Sequence, residues 1–229
     1  MRGLFVTGTD TGAGKTVVAG AIVTGLRARG ERVAAYKPVV TGLDEPVDAR
    51  WPRDHELLAA AAGASAETVA PQRFGPPVSP HLAADLAGVE LDLDAMIVAA
   101  ASAAAEADAD VLVVEGVGGL LVPLTRERTV RDLAVALGFA LVVAARPGLG
   151  TINHTLLTLE AARAAGLTVA GVVMTPWPDE PTTMHRSNRA TVARLGAVGV
   201  ATISPLPDGS PASLVTAGER LPLQEWSAR

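Results

Sequence analysis

Residues Gly8 to Thr16 read Gly-Thr-Asp-Thr-Gly-Ala-Gly-Lys-Thr, directly after the apolar run Leu4-Phe5-Val6. A strand, a glycine-rich loop and a helix start in that order suit a polyphosphate. Glycines let backbone N–H groups approach closely, and the helix aims its positive end at the anion. Lys15 is expected to reach the outer phosphates and the Thr16 hydroxyl to ligate Mg²⁺. The nucleotide-binding set at this loop comprises Thr11, Gly12, Ala13, Gly14, Lys15, Thr16 and Val17. The usual pattern places four residues between its first glycine and the Gly-Lys-Thr; here Gly8 leads with five.

Lys37 follows the apolar run Val33–Tyr36 and precedes Pro38, which stiffens its geometry. A second ammonium beside Lys15 would neutralise a transferring phosphoryl group or an anionic nucleophile. Glu115 ends Val111-Leu112-Val113-Val114 and leads into Gly116-Val117-Gly118-Gly119. A carboxylate at a strand tip beside a phosphate loop is a second handle on Mg²⁺. The loop from Thr41 holds Asp44, Glu45, Asp48 and Asp54. One of them completes the metal environment, and the sequence leaves open which; Asp54 also reads as a helix N-cap. Gly150-Thr151-Ile152-Asn153 opens a helix whose N–H groups suit a carboxylate. The four histidines (55, 81, 154, 185) lack metal-ligand spacing, and no Ser/His/Asp arrangement stands out.

The elements that must position these groups alternate. Strands are expected at Leu4–Val6, Val33–Tyr36, Val111–Val114 (a central one), Ala140–Ala144, Val169–Met174 and Val200–Ile203. Helices are expected at Thr16–Arg29, Asp54–Gly63, from an Asp92 cap through Ala107, Val130–Leu137, Asn153–Ala165 and Thr183–Leu195, with Pro71–Pro80 irregular. Such alternation predicts an α/β fold: a doubly wound, mainly parallel sheet of the P-loop NTPase type in three α/β/α layers, over residues 1–229 as one domain. About half of the 229 residues are hydrophobic and 3% are aromatic, so the core is Ala, Val and Leu. A net charge of −5 argues against nucleic acid and anionic membrane as partners. Cysteine is absent, which excludes disulfides, thiolate metal sites and cysteine nucleophiles. No apolar stretch is long enough to span a bilayer, so the expected location is cytoplasmic. In such a sheet, ligands gather at the carboxyl ends of the strands.

Taken together, Gly8-Thr9-Asp10-Thr11 with Gly14-Lys15-Thr16, Tyr36-Lys37-Pro38-Val39, Val114 through Leu124 and Gly150-Thr151-Ile152-Asn153-His154-Thr155 resemble the dethiobiotin synthetases. The pieces keep the family's order and similar spacing over roughly residues 1–175, and the five-residue gap in the loop is the family's own. The resemblance implies an ATP- and Mg²⁺-dependent ligase of biotin synthesis. Its substrates would be 7,8-diaminononanoate, CO₂ and a nucleoside triphosphate. One amine takes up CO₂ as a carbamate, the carbamate attacks the γ-phosphorus, and the other amine closes a cyclic urea. It implies Thr16, Asp54 and Glu115 as Mg²⁺ ligands and Lys15 and Lys37 as stabilisers of the carbamate and phosphoryl group. Thr11, Thr41 and Gly118 would contact substrate or phosphate. Gly150, Thr151, Ile152 and Asn153 would grip the substrate carboxylate across a homodimer interface.

One departure stands out. The family often carries Asn-Asp after the strand at Val169–Met174, and the amide reads the adenine edge. Here the residues are Thr175-Pro176-Trp177. Base contact is then left to Thr175, Pro176 and the segment Ser204-Pro205-Leu206, so triphosphates other than ATP are expected to serve. Trp177 suits either stacking on the base or packing. Three other readings were weighed. Partition ATPases of the ParA and MinD kind, acting as nucleotide switches, carry a lysine where Asp10 stands. A cobyrinate-type amide ligase needs a glutaminase domain and its cysteine. A non-enzymatic switch needs neither Lys37 nor the Glu115 loop.

Overall fold

The computed structural model describes residues 1–227. In chain order, β1 (Arg2–Gly8) and α1 (Lys15–Arg27) are followed by β2 (Val33–Tyr36), β3 (Val39–Val40), α2 (Asp54–Ala62), α3 (Ala66–Val69) and β4 (Gln72–Arg73). Then come α4 (Pro80–Ala87), α5 (Leu93–Glu106), β5 (Val111–Gly119), α6 (Val130–Leu137), β6 (Ala140–Ala145) and α7 (Thr151–Ala164). The chain continues through β7 (Val169–Met174), α8 (Thr183–Gly196), β8 (Val200–Thr202), α9 (Pro211–Gly218) and α10 (Leu223–Ser227).

Six strands form one sheet in the order β2-β5-β1-β6-β7-β8, and every pairing is parallel. Parallel strands buried on both faces need apolar side chains throughout, and β1, β5 and β6 supply them. One cluster, from Leu4 and Val6 to Ile22, Leu57, Leu214 and Trp226, fills the face under α1, α2, α9 and α10. The other, from Phe5 and Tyr36 to Met96, Leu112, Leu133 and Leu159, fills the opposite face. This is the doubly wound, three-layer α/β architecture that the alternation of elements implies. β1 lies between β5 and β6, where chain order reverses, so the crevice for ligands opens at its carboxyl end.

Three features differ from the sequence-based expectation. β5 runs on to Gly119, because Gly119 still pairs with Gly8 after a register shift. Gln72–Arg73 form a short parallel pairing with Val39–Val40, inside the stretch expected to be irregular. Asp54 is the first residue of α2, and the cap position belongs to Arg53, whose N–H donates to the Glu56 carboxylate at 3.0 Å. The segment beyond Ser210 packs tightly: a Cβ on Gly218 would lie 2.3 Å from the Ala21 carbonyl, so α9 and α1 touch backbone to backbone.

Candidate functional site

The register brings the chemistry together. Val6 pairs with Glu115, and Tyr36 with Val114, so Lys37 emerges beside Glu115 one step beyond the phosphate loop. The Lys37 Nζ donates to Glu115 Oε1 at 2.5 Å and pairs with Asp54 Oδ2 at 3.1 Å. The Thr16 hydroxyl donates to the same Glu115 Oε1 at 2.9 Å. Lys37 and Glu115 are almost fully buried, whereas the Asp54 side chain is 52% exposed at the crevice. Burial opposes charge on Lys37, yet Glu115 and Asp54 outweigh it and hold the ammonium above the ordinary lysine range. Burial likewise pushes the Glu115 carboxyl up, against the pull of Lys37. Burial also opposes ionisation of Asp54, but Lys37 and the Thr16 hydroxyl keep its carboxyl below the ordinary value.

Lys15 is 7% exposed and its Nζ donates to the Asp10 carbonyl at 3.1 Å, inside its own loop. Burial is the main reason that its ammonium is held below the ordinary lysine range. Gly14, at φ +88°, turns the loop into α1, a conformation that costs a side-chain-bearing residue strain. A Cβ there would strike the Thr175 methyl at 2.4 Å. Asp10 Oδ1 accepts from the Thr11 N–H at 2.7 Å.

A cavity of about 630 Å³ opens at this point, and Thr11, Gly12, Gly14, Lys15, Thr16, Val17, Lys37, Thr41, Asp54 and Gly118 line it. Ala13 is buried behind the loop, and Glu115 is buried behind the wall with only its partners reaching the cavity. Sequence reasoning missed several lining residues. Trp51, Pro52, Pro77, Ser79 and Val122 come from loops without periodic pattern, and Val117 from the end of β5; Val117 and Val122 stand close in the chain to a predicted site residue, Gly118. It also missed Arg146, just beyond β6, whose Nη2 donates to the Thr11 carbonyl at 2.8 Å and so ties down the crest of the loop. Arg53 was missed too. It donates to the Gly42 and Glu45 carbonyls at 3.3 Å each and so fastens the turn that carries Thr41.

The remaining candidates lie off the cavity wall. Thr175 follows β7, and its N–H donates to the Ala145 carbonyl at 3.0 Å. Pro176 has no N–H, and the Trp177 N–H donates to the Ile203 carbonyl at 2.7 Å. The backbone donors of this segment are therefore committed to the sheet edge. Trp177 makes an edge contact with His185 at 5.9 Å between ring centroids and packs, partly buried, against the core. Ser204, Pro205 and Leu206 follow β8 beside it, and Ser204 Oγ accepts from Arg220 at 3.2 Å. Gly150, at φ +93°, precedes α7, whose first residue Thr151 is buried and whose Ile152 and Asn153 follow. The Asn188 amide holds the approach to it by donating to the Pro147 and Gly148 carbonyls at 3.0 and 3.1 Å.

The buried Glu115 Oε2 has no hydrogen-bond partner. An orphaned carboxylate oxygen beside a phosphate loop, with the Thr16 hydroxyl and Asp54 next to it, is a hard-oxygen donor set suited to Mg²⁺. Among the described residues no cluster of three or more His, Cys, Asp or Glu side chains could hold a metal unaided. Among the described residues no helix is long and apolar enough to cross a membrane.

A family model described as an AAA domain matches residues 2–212. An ATP-dependent dethiobiotin synthetase of Anaeromyxobacter sp. is 45% identical over 200 residues, covering 85% of this chain and 86% of that protein. The enzyme of the same description from Mycobacterium avium is 43% identical, covering 86% and 85%. That from Caulobacter sp. is 40% identical, covering 96% and 90%. Among solved structures, the MinC:MinD cell division complex of Aquifex aeolicus matches with a TM-score of 0.58 at 12% identity, over 100% of this chain and 95% of that one. Chloroplast FtsY of Physcomitrella patens matches with a TM-score of 0.52 at 16% identity, over 95% and 64%. These two speak to the fold alone.

Proposed function

The chain belongs to the ATP-dependent dethiobiotin synthetases, and from that premise we propose that it joins CO₂ to 7,8-diaminononanoate and closes the product ring at the expense of ATP. The observation that carries the reading is the buried Lys37–Glu115 pair, linked to Thr16 of the phosphate loop at the wall of a cavity of about 630 Å³.

A neutral amine of the substrate adds CO₂ and releases a proton, leaving a carbamate. Carbamates are weak nucleophiles and lose CO₂ readily, so the site must hold carbamate and γ-phosphate oxygens together despite like charge. Lys37 supplies a fixed positive charge for that purpose, since Glu115 and Asp54 keep it protonated. Lys15 exchanges its Asp10 carbonyl for phosphate oxygens as the triphosphate enters. The carbamate oxygen then attacks the γ-phosphorus and ADP departs. The second amine attacks the carbonyl carbon, expels phosphate, loses a proton and closes the five-membered urea. Thr16, Asp54 and Glu115 would hold Mg²⁺, which when bound neutralises phosphate charge. Thr11, Thr41 and Gly118 line the path of the diamine.

Two further parts of the proposal concern assembly and organisation. Residues 1–229 act as one domain. Two copies form a homodimer in which the start of α7, from Gly150 to Asn153, receives the partner's substrate carboxylate. Leu149, 93% exposed beside that helix start, would be covered by such an interface.

The test is direct. The chain, diaminononanoate, bicarbonate, Mg²⁺ and ATP are incubated and the products are weighed by mass spectrometry. Dethiobiotin with ADP and phosphate in equal amounts is expected; ATP hydrolysis without dethiobiotin rejects the reading.

A further inference from the structure

We propose that Glu45 is a substrate-binding residue that receives the ammonium of the amine not being carboxylated; this rests on the diamine reading above. Four acidic residues share the loop after Thr41, and the structure sorts them. Asp54 is taken by Lys37 at 3.1 Å. Asp48 is taken by Arg50 at 2.9 Å. Asp44 folds over Gly75, where a Cβ would lie 2.5 Å from its carboxylate. Glu45 alone of the four faces the cavity without an ion pair, beside Thr41, Pro77 and Ser79.

Its place is fixed by its backbone. The Glu45 N–H donates to the Gly42 carbonyl at 3.1 Å, and its own carbonyl accepts from Arg53 at 3.3 Å. The same arginine holds Gly42, so the turn is clamped at both ends. The carboxylate is thereby presented to the cavity by a braced turn.

The chemistry supplies the ligand. Alkyl amines titrate in the lysine range, so the diamine arrives with cationic amines near neutral pH. On the inner wall Lys37 is already matched by Glu115 and Asp54, while Lys15, whose Nζ meets the Asp10 carbonyl, repels such a ligand. One amine must shed its proton to take up CO₂. The other has no need to until the ring closes, and an ammonium in this cavity is best met by a carboxylate not already matched to a lysine. Glu45 provides it, and once the carbamate and the ammonium are both formed the substrate presents each charge to its opposite.

The experiment compares the wild-type chain with Glu45→Gln and Glu45→Asp in dethiobiotin formation, with 7-aminononanoate and 8-aminononanoate as competitive inhibitors. Glu45→Gln should raise KM for the diamine about 10-fold, leave KM for ATP unchanged and leave the melting temperature within normal scatter. Glu45→Asp should recover part of the loss. Of the two monoamines, the one lacking the amine that meets Glu45 should inhibit wild type and Glu45→Gln equally. The other should lose affinity in the variant. If wild type makes dethiobiotin and Glu45→Gln shows an unchanged KM for the diamine, this inference falls and the enzymatic reading stands. If wild type makes no dethiobiotin, the reading fails and Glu45 loses its ligand with it.

Discussion

The carboxyl edge of the sheet has two halves, built on different principles. At the tips of β1, β2 and β5 charged side chains are buried: Glu115 is held by Lys37 and by the Thr16 hydroxyl, and Lys15 stands in the adjoining loop. At the tips of β6, β7 and β8, the chain presents Thr175, Pro176 and Ser204, with the Thr175 and Trp177 N–H groups already spent on the sheet. The first half tolerates little change, since each charge there is neutralised only by its neighbours. The second tolerates change because no buried charge depends on it. On the proposed function, the triphosphate and reacting groups are held by side-chain identity and the base is loosely specified.

The largest effect expected from breaking the first half is that of Lys37→Ala. The ammonium that faces the developing anion is lost, and Glu115 is left buried without its cation. Turnover should fall by about 10²-fold or more, with nucleotide affinity largely kept. The folded state should also lose about 3–5 kcal/mol. Steady-state kinetics, nucleotide titration and urea unfolding read these separately. Near-normal turnover would mean that the buried pair is only structural.

The two halves meet where Arg146 holds the Thr11 carbonyl and where the Thr175 methyl lies over Gly14, and a pair of substitutions measures the second contact. Gly14→Ala forces a side chain into φ +88° and into that methyl. The strain should cost about 1–3 kcal/mol and weaken ATP binding with it. Thr175→Ser removes the methyl, so Gly14→Ala with Thr175→Ser should recover the steric share and keep the backbone share. Additive losses in thermal unfolding would show that the halves are uncoupled.

The difference between the halves also explains what was legible in the sequence. Lys15, Thr16, Lys37 and Glu115 were identifiable because their residue types at strand tips have few other uses. The six main strands were legible as apolar runs. β3 and β4, two residues each, leave no periodic pattern. α9 was passed over although Ser210, its cap, and Pro211 at its first position are the ordinary signals of a helix start. Trp51, Ser79 and Val122 line the cavity because long loops fold back over it, and that return is a tertiary event no local pattern records. Arg53 and Arg146 act through backbone carbonyls, so nothing in their partners' identities announces them.

A smaller effect probes the exposed end of the second half. Leu149 projects into solvent beside the start of α7. If that face seals a homodimer, Leu149→Asp should weaken self-association by about 10-fold, roughly 1.4 kcal/mol, and raise KM for diaminononanoate while sparing ATP. Light scattering over a dilution series measures the first and kinetics the second. An active wild-type monomer rejects the interface.

The smallest effect is the preference among bases. A side-chain amide discriminates by offering a matched donor and acceptor to the adenine edge, and losing such a pair relaxes specificity by roughly 1–3 kcal/mol. Thr175 is no substitute, since one hydroxyl rotates to suit several edges. Nor do the neighbouring N–H groups help: those of Thr175 and Trp177 are bound to the Ala145 and Ile203 carbonyls, and Pro176 has none. The triphosphate is gripped at the other half of the edge, by groups that do not see the base. Turnover with CTP, UTP or GTP should therefore be appreciable beside that with ATP. The measurement is kcat/KM for the four nucleotides at saturating diaminononanoate. A lead for ATP of more than about 10³-fold corresponds to roughly 4 kcal/mol, more than the missing amide accounts for. Such a lead would mean that Ser204, Pro205 and Leu206 read adenine through their backbone, and the looseness assigned to this half of the edge would have to be given up.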